Sequence, residues 1–115
     1  MDAQLKRGLL DACVLTVLNR GESYGYQLAR DVGEIIEVSE STLYPILRRL
    51  EAGGLVTVRS AEHNGRLRRY YRISDAGRRR LLESVAQWRD LTRALNMIER
   101  EVCEHDKGNI SESIE

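Results

Sequence analysis

The sequence has no phenylalanine, one tryptophan and one proline in 115 residues. A core without phenylalanine has to be built from Leu, Ile and Val, and a chain of this length is expected to be one domain with a modest core. Many such chains gain further stability by pairing. No apolar run approaches the ~18 residues that cross a bilayer. The start, MDAQLKRGLLDACVL, lacks the small-residue cleavage site of a secretory signal, so no leader is expected there. The two cysteines, Cys13 and Cys103, lie far apart, which suits a reducing cytoplasm better than a disulfide framework. The two histidines, His63 and His105, stand in no recognisable catalytic motif. No Ser/His/Asp or Cys/His constellation and no phosphate-binding glycine loop is present, so neither an enzyme nor a cofactor is expected.

Net charge is also absent, the formal total being zero, but the charges are segregated. From Arg59 to Arg80 there are eight arginines against Glu62 and Asp75; from Glu99 to Glu115 there are six acids against Arg100 and Lys107. Local potential decides binding, so the arginine block is the informative half.

What is present is a clear periodicity. Leu10, Cys13, Val14, Val17 and Leu18 recur at helical spacing and predict a first helix over about residues 3–19, with Gly21 as a left-handed terminator. Ser23 is placed to cap a second helix, in which Tyr24, Leu28, Val32, Ile35 and Ile36 share a face. Ser39 or Ser41 caps a third, with Leu43, Ile46, Leu47 and Leu50 buried and Gly53-Gly54 ending it. The period then changes to two. LVTVRS and LRRYYRIS alternate around Asn64-Gly65, the strongest short-range hairpin signal. A two-residue turn there pairs His63 with Arg66, Val58 with Tyr71 and Val56 with Ile73. Ser74-Asp75 opens a last helix whose apolar positions, Leu81, Val85, Trp88, Leu91, Leu95, Ile98 and Val102, form a stripe longer than a small domain covers by itself.

The expected fold is therefore mainly α with a small β-hairpin: a winged helix-turn-helix over 1–74, a C-terminal dimerisation helix over 75–107 and a flexible tail over 108–115. At about 100° per residue, Ser41, Pro45 and Arg48 point away from the buried stripe of the third helix, flanked by Tyr44 and Arg49. Proline is tolerated in a first helical turn, so Pro45 places the helix start near Ser39 to Thr42. Hydroxyls and free N–H groups at that end suit a phosphate, and arginine further along can read guanine or hold a phosphate. Arg48 is the candidate for one of those two contacts. The wing adds Arg66, Arg68, Arg69 and Arg72, which suit the DNA backbone; on the hairpin register Arg69 faces the protein beside Tyr71 and snorkels around the core edge.

YGYQLARDV (Tyr24 to Val32), STLYPILRRLEAGGLV (Ser41 to Val56) and RRYYRISDAGRRRL (Arg68 to Leu81) resemble the PadR family of bacterial winged-helix transcriptional regulators. The resemblance covers about residues 5–100. It implies a dimeric repressor on an operator of dyad symmetry, with the third helix in the major groove and the wing on the flanking backbone or minor groove. It carries Tyr24, Thr42 and Tyr44 over as DNA-contacting or helix-positioning residues. It also implies dimerisation through the last helix, as in the short branch of the family, and release by a small aromatic compound in many members. Trp88 resembles the tryptophan that stacks on planar cationic drugs in the multidrug-sensing branch; the competing reading is packing in the dimer core, the commoner role of an aromatic in such a stripe.

The expected DNA-binding set is Tyr24, Ser41, Thr42, Tyr44, Arg48, Arg49, Arg66 and Arg68. The expected effector residue is Trp88, and the dimer residues are Leu81, Val85, Leu91, Leu95, Ile98 and Val102. Partners are double-stranded DNA, a second copy of the chain and a planar aromatic effector, with no membrane. Two other readings compete. Cys103-x-His105-Asp106 offers metal-ligand types without the paired spacing of a zinc site, and a winged-helix protein-interaction module would use the arginine face without specific DNA binding.

Overall fold

The computed structural model describes residues 2–114, with side chains for 2–106. The elements run α1 (Ala3–Arg20), β1 (Ser23–Tyr24), α2 (Gly25–Gly33), α3 (Glu40–Ala52), β2 (Val56–His63), β3 (Arg66–Ile73) and α4 (Asp75–Ile114). Contacts divide the chain into Met1–Leu82 and Glu83–Glu115. The first unit holds three helices, a small antiparallel sheet and the first turns of α4; the second is the remainder of α4. The segment 108–115, expected to be a flexible tail, has no described side chains, and α4 is drawn through it to Ile114.

The core follows the predicted stripes. Leu10, Val14, Val17 and Leu18 of α1 meet Leu28 and Val32 of α2 and Leu43, Ile46, Leu47 and Leu50 of α3; Val56, Tyr71 and Ile73 close it from the sheet. Ile35 lies beyond the end of α2 and is exposed, whereas Ile36 packs on the core edge. The thiol of Cys13 is buried in this layer, which pushes its pKa up and keeps it protonated.

Helix ends explain the chain's turns. Ser39 is the cap of α3: its hydroxyl accepts from the Thr42 N–H at 3.3 Å. At the other end Gly54 has φ 75°, and the Leu55 N–H donates to the Leu50 carbonyl at 2.9 Å while the Gly54 N–H donates to Glu51 at 3.0 Å. This paired arrangement satisfies the last free carbonyls of α3 and turns the chain into β2. Gly21 differs from expectation. Its φ of 155° and ψ of 170° extend the chain in a region open to glycine, and are not left-handed helical.

Two local expectations are corrected at Ser23. It does not cap α2; Tyr24 takes that position with extended backbone and no side-chain bond. Ser23 lies instead in β1, paired with Tyr71, while Tyr24 pairs with Tyr70. The sheet is therefore three-stranded, in the order β1-β3-β2. The Ser23 hydroxyl ends up buried without a partner among the described residues. The hairpin itself has the predicted register, with Val56 opposite Ile73, Val58 opposite Tyr71 and His63 opposite Arg66. Asn64 (φ 51°) and Gly65 (φ 79°) both take positive φ, as a tight turn matching strand twist demands.

α4 is tied to the exit of α3 by Ser74. Its hydroxyl donates to the Gly54 carbonyl at 2.6 Å and accepts from the Gly77 N–H at 3.0 Å, and its own N–H donates to the Leu55 carbonyl at 3.0 Å. Leu81, predicted for the dimer stripe, packs partly buried against the core of the first unit. Beyond it, Val85, Leu91, Leu95, Ile98 and Val102 are 41–58% exposed, and Leu82 and Met97 add apolar surface that the sequence stripe did not include.

Candidate nucleic-acid interface

α3 is sharply two-sided. Leu43, Ile46, Leu47 and Leu50 are buried, while Ser41, Thr42, Tyr44, Pro45 and Arg48 are exposed. Its opening is a hydroxyl cluster: the Ser39 hydroxyl lies 3.0 Å from that of Ser41 and 3.0 Å from that of Thr42. These groups sit at the positive end of the helix, beside N–H groups that have no helical acceptor.

Tyr44 leans from α3 onto the start of α2. Its hydroxyl donates to Glu40 at 3.4 Å, and a Cβ at Gly25 would lie 2.6 Å from its oxygen. Glycine at position 25 is what allows this approach. Partial burial, followed by the nearby Glu40 carboxylate, pushes the Tyr44 phenol up, so it stays a neutral donor. The contact was not legible in the sequence, because it joins two residues through a fold-dependent crossing of α2 and α3.

The arginines divide into held and unheld. Arg49, expected on the DNA face, donates to Asp11 of α1, bracing α3 from behind. Burial of the Asp11 carboxyl outweighs the pull of that guanidinium and leaves its pKa raised. Arg69 bonds Glu51 at 3.2 Å and lies 5.9 Å from the centre of the Tyr71 ring, facing the protein as its register required. Arg48 and Arg66, by contrast, are exposed and make no side-chain hydrogen bond or ion pair among the described residues.

On the outer face of the sheet, Arg59 is bound through two nitrogens to both oxygens of Glu22, at 2.8 and 2.5 Å. The Arg59 hydrogen bond holds the Glu22 carboxyl below its usual range. Arg59 also lies 4.6 Å from the centre of Tyr70, Tyr70 meets Tyr24 edge-on at 6.0 Å, and Arg68 lies 3.9 Å over Tyr24. Sequence reading singled out Tyr24 and Arg68 separately and missed Glu22. Its only signal was a carboxylate just before β1 facing a cation-rich hairpin.

Between the wing and the starts of α2 and α3 is a groove of about 530 Å³, with Gly25, Tyr26, Tyr44, Arg66 and Leu67 on its walls. From α3 the groove takes Tyr44, and from the wing tip His63, Asn64, Arg66 and Leu67. In the second unit, Trp88 is half-buried on α4, and Cys103 is an exposed free thiol. Among the described residues no group of three His, Cys, Asp or Glu side chains could hold a metal ion, and no helix is long and apolar enough to cross a membrane.

Residues 14–83, which contain the whole helix-turn-helix and wing, match the Transcriptional regulator PadR-like family. The chain belongs to that family. The transcriptional regulator Rv3488 of Mycobacterium tuberculosis is 44% identical over 75 residues, covering 63% of this chain and 64% of that one. The crystal structure of a PadR family transcriptional regulator from Eggerthella lenta superposes with a TM-score of 0.74 at 38% identity, over 83% of this chain and 85% of that chain. A PadR family transcription regulator from Clostridium difficile gives 0.71 at 26% identity, over 77% and 96%. The protein is thus a PadR-family transcriptional regulator with a winged-helix fold, and DNA binding is what the family implies.

Proposed function

We propose that this PadR-family chain works in the cytoplasm as a homodimeric repressor that binds double-stranded DNA at an operator of dyad symmetry and is released by a planar aromatic ligand. The observation that carries the reading is the two-sided α3: its apolar stripe is buried, and its opposite face presents Ser41, Thr42, Tyr44 and the unheld Arg48. A helix of this kind fits the major groove, with the hydroxyl end on a phosphate and Arg48 on a guanine edge or the backbone. Arg66 and Arg68 of the wing serve the flanking backbone, and Tyr24 serves Arg68. Arg49, held by Asp11, takes the role of positioning α3.

The exposed stripe Val85, Leu91, Leu95, Ile98 and Val102 on α4 supports pairing with a second copy, because contiguous apolar surface of this kind marks an interface. Two copies related by a two-fold axis would place half-sites about 34–36 Å apart, or at a multiple of that spacing. In this reading 1–74 binds DNA, 75–107 pairs, and Trp88 on the pairing helix supplies a flat surface for the ligand.

A titration of labelled duplexes over several salt concentrations tests the DNA reading. Arg48→Ala is expected to weaken the selected sequence by about 1–3 kcal/mol if it reads a base. Equal losses on every duplex would remove that base-reading role, and a wild-type chain with no preference among duplexes would remove the reading itself. Quenching of Trp88 fluorescence by a panel of planar aromatics tests the ligand role; no quenching across the panel assigns Trp88 to packing.

A further inference from the structure

The outer face of the sheet contains an arginine that has been neutralised and an acid that charge alone would not place near DNA. Glu22 lies in the link between α1 and β1, immediately before the helix-turn-helix, and engages Arg59 with both oxygens. From Arg59 the contacts continue through Tyr70 and Tyr24 to Arg68, crossing from β2 through β3 to β1 and back to β3. The run therefore ties the entry of the helix-turn-helix to the wing. At its far end the Arg68 guanidinium lies over a ring face, at 3.9 Å. A guanidinium that stacks keeps its donors in its own plane, so its rim stays available while its face is occupied. A long side chain ordered in advance also loses less freedom when it binds.

We propose that Glu22, Arg59, Tyr70 and Tyr24 are positioning residues for Arg68: the stack fixes its guanidinium so that it meets a DNA phosphate already oriented. Arg59 is then a strut held by Glu22 and makes no phosphate contact of its own. The proposal rests on the DNA-binding reading above, and it makes a prediction of opposite sign to simple electrostatics. Removing a carboxylate near a polyanion strengthens binding if only charge matters. Removing Glu22 weakens it if the carboxylate anchors the stack.

The test uses the full-length chain and the duplex it selects from a random pool. Glu22→Ala and Tyr24→Leu are each expected to weaken binding about 2- to 5-fold, the loss of one exposed stacking contact. Their salt slopes should stay at the wild-type value. Tyr24→Phe, which keeps the ring, should bind as wild type. Arg68→Ala should lower the slope by about one charge, and in that background Glu22→Ala and Tyr24→Leu should cost nothing more. In the free protein, the Arg68 side-chain protons should be shifted upfield by the Tyr24 ring in wild type and Tyr24→Phe, and not in Tyr24→Leu. Tighter or unchanged binding by Glu22→Ala overturns the proposal, as does loss of binding by Tyr24→Phe or an unshifted Arg68 in wild type. If wild type selects no sequence, the DNA reading falls, and the free-protein spectra alone decide whether the stack exists. Thermal midpoints of each variant, compared at one protein concentration, separate binding losses from unfolding.

Discussion

Gly77→Ala puts two physical rules in direct opposition. Gly77 lies in the first turn of α4, where its backbone crosses the exit of α3. A Cβ added there would lie 2.2 Å from the Leu55 carbonyl oxygen and 2.7 Å from Cγ1 of Ile73. The first distance is roughly 1 Å short of ordinary contact, and the obstructing atom is backbone, so no side chain can swing aside. Leu55 is fixed in turn by its own N–H bond to Leu50 and by the carbonyl bond from Ser74, at 2.9 and 3.0 Å. Forced overpacking of this kind costs about 1–3 kcal/mol. Helix propensity alone argues the other way, since alanine is favoured over glycine within a helix by about 0.8–1 kcal/mol. The contact wins on this geometry, and a net loss of about 1–2 kcal/mol is expected. For a unit of this size each kcal/mol corresponds to about 4–8 °C in Tm. Gly33→Ala is the control: Gly33 closes α2, a Cβ there meets nothing within 4 Å, and the substitution should be neutral or slightly stabilising. Urea unfolding of both variants at one protein concentration provides the comparison, since any self-association adds stability that depends on concentration. Gly77→Ala as stable as wild type would refute the close approach of α4 to Leu55.

Gly25→Ala should behave differently, because its added Cβ would meet the far end of a movable side chain, the Tyr44 hydroxyl, at 2.6 Å. Stability should change by less than about 1 kcal/mol, while duplex affinity falls as Tyr44 is displaced; an unchanged titration curve would remove Tyr44 from the interface. Acid titration should single out Glu22. Its pKa is lowered in the folded chain by Arg59, so its contribution to stability is present above the unfolded value of 4.5 and is lost as pH falls through the folded one. Wild type and Glu22→Gln should therefore differ in urea midpoint near neutrality and converge at acid pH, and parallel curves would rule out the pairing with Arg59.

The parts of the fold readable in advance were those specified by neighbours in sequence. The hairpin register followed from Asn64-Gly65, because a two-residue turn leaves one pairing that puts Val56, Val58, Tyr71 and Ile73 on one side. For the same reason the end of α3 followed from Gly53-Gly54, and its start was narrowed to Ser39 or Ser41, of which Ser39 is the cap. Ser23 misled because a serine before a helix has the same local pattern whether it caps the helix or joins a strand; its partner, Tyr71, is remote in sequence. β1 contains two residues, too few for any alternation to register. Arg49 looked like its neighbour Arg48, and only the crossing of α1 behind α3 brings Asp11 within its reach. In the same way Tyr24 and Arg68 were each visible, but the stack from Glu22 through Arg59 and Tyr70 that joins them needed three strands side by side.

The Ser74 joint has a mechanical consequence. One hydroxyl clasps the Gly54 carbonyl and the Gly77 N–H together, and a backbone bond beside it links Ser74 to Leu55. These three bonds hold the root of α4 to the tail of α3, so the two cannot slide past each other without breaking them. A tilt imposed at the root of α4 is handed directly to α3, as a lever turns the shaft to which it is keyed.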